Sequence, residues 1–159
     1  MQIKFTSYLV FVLIFLASCG TVGKKSKVDN SVSGRAKTVL KEAHNYMGTP
    51  YKYGGLTKKG MDCSGLVLQS YKKVNIDLPR ITRDQAKHGM KVKLRNVQPG
   101  DLLFFNTSGS KISHVGIVDH IKNGEVFFIH ASTSKGVMVS SLENTYWKPR
   151  FVKAIRYLH

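Results

Sequence analysis

Cysteine is scarce in this chain: Cys19 and Cys63 are the only two in 159 residues. A disulfide-stapled scaffold needs several, so the fold has to stand on its apolar core. Acidic residues are also few, 9 Asp and Glu against 25 Lys and Arg, for a formal net charge of +16. Four prolines, one tryptophan and 42% hydrophobic residues exclude collagen-like, low-complexity and fully disordered classes. No apolar run reaches the roughly 20 residues that a membrane-crossing helix requires. The length holds one domain with a proper core, not two.

What is present begins with an export signal. Lys4 precedes an unbroken apolar run from Leu9 to Ala17, so residues 1–18 read as a signal peptide. It ends in Leu16-Ala17-Ser18-Cys19, which resembles a bacterial lipobox and implies that Cys19 becomes the lipidated first residue of the mature chain. A plain signal peptide with an incidental cysteine is the alternative. Gly20 rather than aspartate follows, which favours passage to the outer membrane, facing the periplasm. Residues 19–33 are polar and carry Lys24, Lys25 and Lys27. They read as a flexible basic tether, leaving residues 34–159 as the domain. Only Lys4 precedes Cys19, so the excess charge belongs to the exported part and draws it to anionic partners. The membrane is one such partner, reached through Cys19 and the tether. Nucleic acid suits the charge but not the compartment.

The domain divides into helices and then strands. Ala36, Val39, Leu40, Ala43, Tyr46 and Met47 fall on one helical face, which Gly48 and Pro50 bring to an end. After a Gly-punctuated loop, Asp62 offers an N-cap to a helix over residues 63–74, with Leu66, Val67, Ser70, Tyr71 and Val74 inward. Thr82-Arg83-Asp84-Gln85 matches a capping box for a third, short helix, with Gly89 at its end. Beyond Gln98-Pro99-Gly100, residues 101–106, 114–121, 126–132, 136–142 and 151–158 read as strands, two of them joined by an Asn123-Gly124 hairpin. The expected class is α+β, helices on one face of an antiparallel sheet of about five strands.

Lipidation of Cys19 would leave Cys63 unpaired, either a nucleophile or an inert buried thiol. In the first turn of a helix capped by Asp62, its thiolate is favoured by unpaired backbone N–H groups and the helix dipole, and the same amides can serve an oxyanion. His114 opens a strand, and His130 sits on the strand paired with it, so one imidazole can orient the other. Cys63, His114 and His130 thus form a candidate activated-nucleophile set; two partly exposed structural histidines are the alternative. His44, His88, His120 and His159 read as solvated, and Trp147 as packing against the sheet.

Seven short motifs occur in order: Gly48-Thr49-Pro50-Tyr51, Gly54-Gly55, Asp62-Cys63-Ser64-Gly65, Leu78-Pro79-Arg80, Gln98-Pro99-Gly100-Asp101-Leu102, His114-Val115-Gly116-Ile117 and His130-Ala131-Ser132. Together they resemble the NlpC/p60 family of cell-wall cysteine peptidases over residues 36–158. Thr57-Lys58-Lys59-Gly60 and Ala131-Ser132-Thr133-Ser134 point to its lipoprotein murein endopeptidases. The resemblance implies a papain-like fold, Cys63 as nucleophile, His114 as general base and His130 as the group that orients it. It implies Tyr51 near the oxyanion and Asp62 and Ser64 flanking the nucleophile. Arg80 stands as a candidate for a substrate carboxylate, or as a structural arginine.

The implied activity is hydrolysis of an amide in peptidoglycan stem peptides through an acyl-enzyme, without cofactor or metal, by a monomer anchored in the cell envelope. The D-alanyl–diaminopimelate cross-link is the favoured bond, and the γ-D-glutamyl–diaminopimelate bond or a related amidase reaction is the alternative. A zinc site of one Cys and two His is disfavoured, since paired ligand spacings are missing and a helix N-terminus repels cations. A murein-binding lipoprotein without catalysis would need none of these residues.

Overall fold

The computed structural model describes the backbone of residues 27–159 and the side chains of residues 33–159. The expected signal peptide, Cys19 and the first part of the tether lie outside these residues. Helix α1 (Lys27–Asn45) starts within the expected tether, because once nucleated a helix adds one backbone hydrogen bond for each further residue it fixes. Ala36, Val39 and Ala43 are its buried stripe. Met47 falls beyond the helix end and is exposed, so it does not continue that stripe.

A small hairpin, β1 (Leu56–Thr57) and β2 (Gly60–Met61), leads into α2 (Cys63–Lys72). The expected inward face of α2 forms at Leu66, Val67, Ser70 and Tyr71, whose hydroxyl donates to the Gly100 carbonyl, but the helix ends at Lys72 and leaves Val74 beyond it, only partly buried. Next comes α3 (Thr82–Gln85), where the expected capping box does not form. Ile81 occupies the cap position without a side-chain bond, and the Thr82 hydroxyl is turned to the Cys63 sulfur. A tertiary partner has outcompeted the local cap. Gly89 lies further on than a C-cap would, at φ +79°.

The strands are β3 (Met90–Val92), β4 (Leu102–Phe105), β5 (His114–Lys122), β6 (Glu125–Ser132), β7 (Gly136–Ser141) and β8 (Phe151–Arg156). They form one antiparallel sheet in the order β3-β8-β4-β5-β6-β7. The sixth strand, β3, is too short and polar to be read from pattern alone; its pairing with β8 creates it. Asn123 and Gly124 both have positive φ, +52° and +80°, the geometry of a tight hairpin turn matched to strand twist.

Alternation along β4 divides the core. Leu102 and Phe104 face α1 and α2 with Val115, Ile117 and Ile129. Leu103 and Phe105 face the other way with Val118, Phe128 and Ala154, where Trp147 covers them. Both faces of the central strand are therefore buried. The start of β7 is tied to the segment after α1: the Val137 N–H donates to the Thr49 carbonyl at 2.8 Å and the Gly48 N–H to the Val137 carbonyl at 2.9 Å.

Gly136 sits at this crossing with φ +71°, and a Cβ there would collide with the Thr49 carbonyl. Gly136→Ala is expected to destabilise the domain by about 2 kcal/mol or more, read as a lowered urea midpoint.

Candidate active site

The N-terminus of α2 is built around one carboxylate. Asp62 Oδ1 accepts the Gly65 N–H at 2.7 Å as the helix cap, and Oδ2 accepts the Gly54 N–H at 2.8 Å. Arg80 closes the fork, Nη1 to Oδ1 at 3.0 Å and Nη2 to Oδ2 at 2.6 Å. Its Nη1 also donates to Ser64 Oγ at 2.8 Å. Burial pushes the Asp62 carboxyl up, but Arg80 and the two backbone N–H groups outweigh it and leave its pKa lowered. The donor edge of Arg80 is thus engaged by a buried partner, and the side chain also lines the cavity beside Cys63.

Cys63 begins α2 and is only 7% exposed. Its hydrogen-bonding side-chain partner is Thr82 Oγ1 at 3.6 Å, rather than the imidazole of His114. Burial raises the thiol pKa; Thr82 and the backbone N–H groups of Val115 and Ser64 pull it down, and the Asp62 charge pushes it up. The resting group is a protonated thiol with three donors already aimed at the anion it would become.

The histidines form a relay on the other sheet face. His114 Nε2 lies 3.0 Å from His130 Nδ1, and His130 Nε2 lies 3.0 Å from Ser140 Oγ. Pairing of β5 with β6 brings the two together, after a register shift between Val118 and His120 that moves the pairing along by one residue. Trp147 stacks on the His114 ring at 5.0 Å and meets the His130 ring edge-on at 4.8 Å. Burial lowers the His114 pKa to about 4. Burial and then the neighbouring His114 charge lower that of His130. Both imidazoles are held neutral at physiological pH. Their facing nitrogens bond each other instead of a common ion, and among the described residues no three His, Cys, Asp or Glu side chains are grouped to share a metal.

Cys63, Asp62, Ser64, Arg80 and Tyr51 line a cavity of ≈ 520 Å³. The half-buried Tyr51 has its pKa raised by burial first, then by the charges of Cys63 and Asp62. His114 and His130 line a second cavity of ≈ 490 Å³. The strand start joins the two sites, since the Val115 N–H that reaches the sulfur belongs to the residue after His114.

The chain has relatives among known proteins. A model of the NlpC/P60 family matches residues 48–156. The chain belongs to the NlpC/P60 family. It is 48% identical over 117 residues to the probable endopeptidase NlpC of Escherichia coli, covering 72% of this chain and 73% of that one. It is 41% identical over 121 residues to the murein DD-endopeptidase MepS/murein LD-carboxypeptidase of Escherichia coli, covering 76% of this chain and 62% of that one. The crystal structure of an NlpC/P60 family protein from Bacillus cereus superimposes with a TM-score of 0.70 at 28% identity, over 78% of this chain and 40% of that one. This chain therefore spans well under half of that solved protein.

Three residues of the site were not assigned to it by sequence reading. Thr82 carried a capping signal that pointed elsewhere, and Ser140 carried none. Trp147 is the sole tryptophan, in a polar turn, and reads as packing; it does pack, but on the histidines. His44 and His120 both contact Asp119, at 2.6 and 2.8 Å, away from this site.

Thr82→Val is expected to slow alkylation of Cys63 by iodoacetamide at fixed pH by about three- to tenfold, the loss of one hydrogen bond to the thiolate, while Thr82→Ser preserves the rate. The neutral histidines also set a pH dependence. Between pH 6.5 and about 4 the unfolded chain takes up a proton that folded His114 refuses. Stability therefore falls as pH drops through that window, by roughly 3 kcal/mol for this residue, and urea midpoints at several pH values measure it.

Proposed function

We propose that the protein is a peptidoglycan endopeptidase of the cysteine type, cutting an amide in murein stem peptides or their cross-links. The observation that carries this is a thiol at a helix N-terminus, reached by the backbone N–H of Val115, the residue that follows the first of a pair of buried, neutral imidazoles. The names of its relatives, an endopeptidase and a murein DD-endopeptidase, agree with it.

The mechanism uses one of the two tautomer sets that these bonds allow. With Ser140 Oγ accepting from His130 Nε2–H, His130 Nδ1 is a lone pair that accepts His114 Nε2–H. His114 Nδ1 is then the free base. In the reaction it has to approach Cys63, whose sulfur bonds Thr82 at rest, and take the thiol proton as that sulfur attacks the carbonyl carbon. His130 steadies the imidazolium that forms. Negative charge on the carbonyl oxygen is met by backbone N–H groups at the start of α2 and by the Tyr51 hydroxyl. Collapse expels the amine, which takes the proton from His114 and leaves a thioester on Cys63. Water, deprotonated by His114, then hydrolyses the thioester and restores the thiol. Asp62, Ser64 and Arg80 keep the helix start rigid so that these donors do not have to reorganise.

Lipidation at Cys19 would hold the enzyme on the envelope, at the outer membrane facing the periplasm. Its tether and positive charge would keep it near anionic lipid and murein, acting as a monomer. Of the candidate bonds we favour the D-alanyl–diaminopimelate cross-link.

Digestion of cross-linked sacculi, followed by mass spectrometry of the muropeptides, tests this reading. Loss of dimers with intact tetrapeptide monomers appearing is expected, and products trimmed after D-glutamate would transfer the assignment to the stem-peptide bond. Cys63→Ala should abolish cleavage, and retained activity in that variant would defeat the mechanism. Ser140→Ala should lower kcat about three- to tenfold, since it frees His130 without removing it. Because His114 is neutral down to about pH 4, the acid limb of kcat/KM should lie below the pH 6.5 of a free imidazole.

A further inference from the structure

The two cavities divide the residues of the proposed reaction between them. Cys63 lines the first, and His114 and His130 line the second. In acyl transfer the acyl half bonds to sulfur, while the half that leaves takes its proton from the imidazole. The acyl half therefore belongs in the first cavity and the departing amine half in the second.

The second cavity has a charge pattern of its own. Asp62 lines the first together with Arg80, Arg83 and Lys111, whereas no carboxylate lines the second, where Lys135 is the one side chain of fixed charge. Among the described residues its ammonium makes no ion pair or side-chain hydrogen bond. Its backbone is braced: the Lys135 N–H donates to Ser132 Oγ at 3.3 Å, and Gly136 beside it is locked against Thr49. The hydroxyls of Ser132 and Ser134, 3.4 Å apart, stand on the same turn and line the same cavity, with Trp147 on its wall. A fixed cation, hydroxyl donors and an apolar face make a receptor for a carboxylate on an aliphatic stem.

We propose that the second cavity is a carboxylate subsite for the leaving half of the substrate, with Lys135 as the residue that recognises it. The inference rests on the endopeptidase reading and refines it. In a murein cross-link, the carbon bearing the released amine also bears a free carboxylate. In the glutamyl–diamino acid bond of a tetrapeptide, the corresponding carboxyl is consumed by the next peptide bond. A cation placed here thus favours the cross-link over the stem bond.

Trp147, as the sole tryptophan, reports occupancy of this cavity by its fluorescence. The purified protein would be titrated with a murein tripeptide ending in diaminopimelate, its carboxyl beside the side-chain amine either free or amidated. The free acid is expected to bind about tenfold more tightly than the amide. Lys135→Met should erase that difference, and Lys135→Arg should retain most of it. Equal binding of both peptides, no fluorescence response to either, or discrimination that survives Lys135→Met would each overturn the subsite. Murein digestion by the unmodified protein is scored separately. Failure to cleave would overturn the endopeptidase reading, whereas cleavage without carboxylate discrimination would overturn the subsite alone.

Discussion

The carboxylate of Asp62 is the contact on which the site depends. It is buried, yet each of its oxygens accepts a backbone N–H and a guanidinium N–H. One of those amides starts α2, the other anchors the loop before it, and the guanidinium comes from beyond the helix end. A buried charge without these partners would cost several kcal/mol, so three separate segments are committed to one geometry. The thiol of the next residue inherits that rigidity. Catalytic donors that are already oriented need not be reorganised when charge appears, which is where most of their value lies.

The sheet has a second effect, holding two imidazoles neutral by burying them. His114 and His130 are buried among Phe105, Phe128 and Trp147, and burial disfavours their charged forms. The thiol is likewise kept protonated by burial. Neither partner is charged at rest, and the donors around the sulfur and the chain through Ser140 are set to stabilise both charges once the proton moves. The same burial makes the site sensitive to acid, through protons that the folded state will not accept.

Much of this was legible in order of residues. A 3.6-residue apolar period marked α1 and α2, Asp62 announced its cap, and Asn123-Gly124 announced the hairpin that brings His130 to His114. The seven motifs pointed to the family, because each is a local backbone requirement joined to a chemical group. Thr82 was not legible: its capping pattern was genuine, but a sulfur across the domain offered its hydroxyl a different partner. Ser140 and Trp147 were hidden for a similar reason. Each sits beside the histidines only through β7 pairing and the turn that folds back over the sheet.

The amino-acid sequence alone determined the α+β class, the helix that presents Cys63 and the two histidines joined by a hairpin. Those features follow from periodicity, caps and turns, which act over a few residues. Tertiary structure decided that Arg80 clasps Asp62, that the resting thiol turns to Thr82, and that Cys63 and the two histidines open onto separate cavities. Such choices are made by burial and by competition among polar groups far apart in the chain, and no local pattern encodes which partner wins.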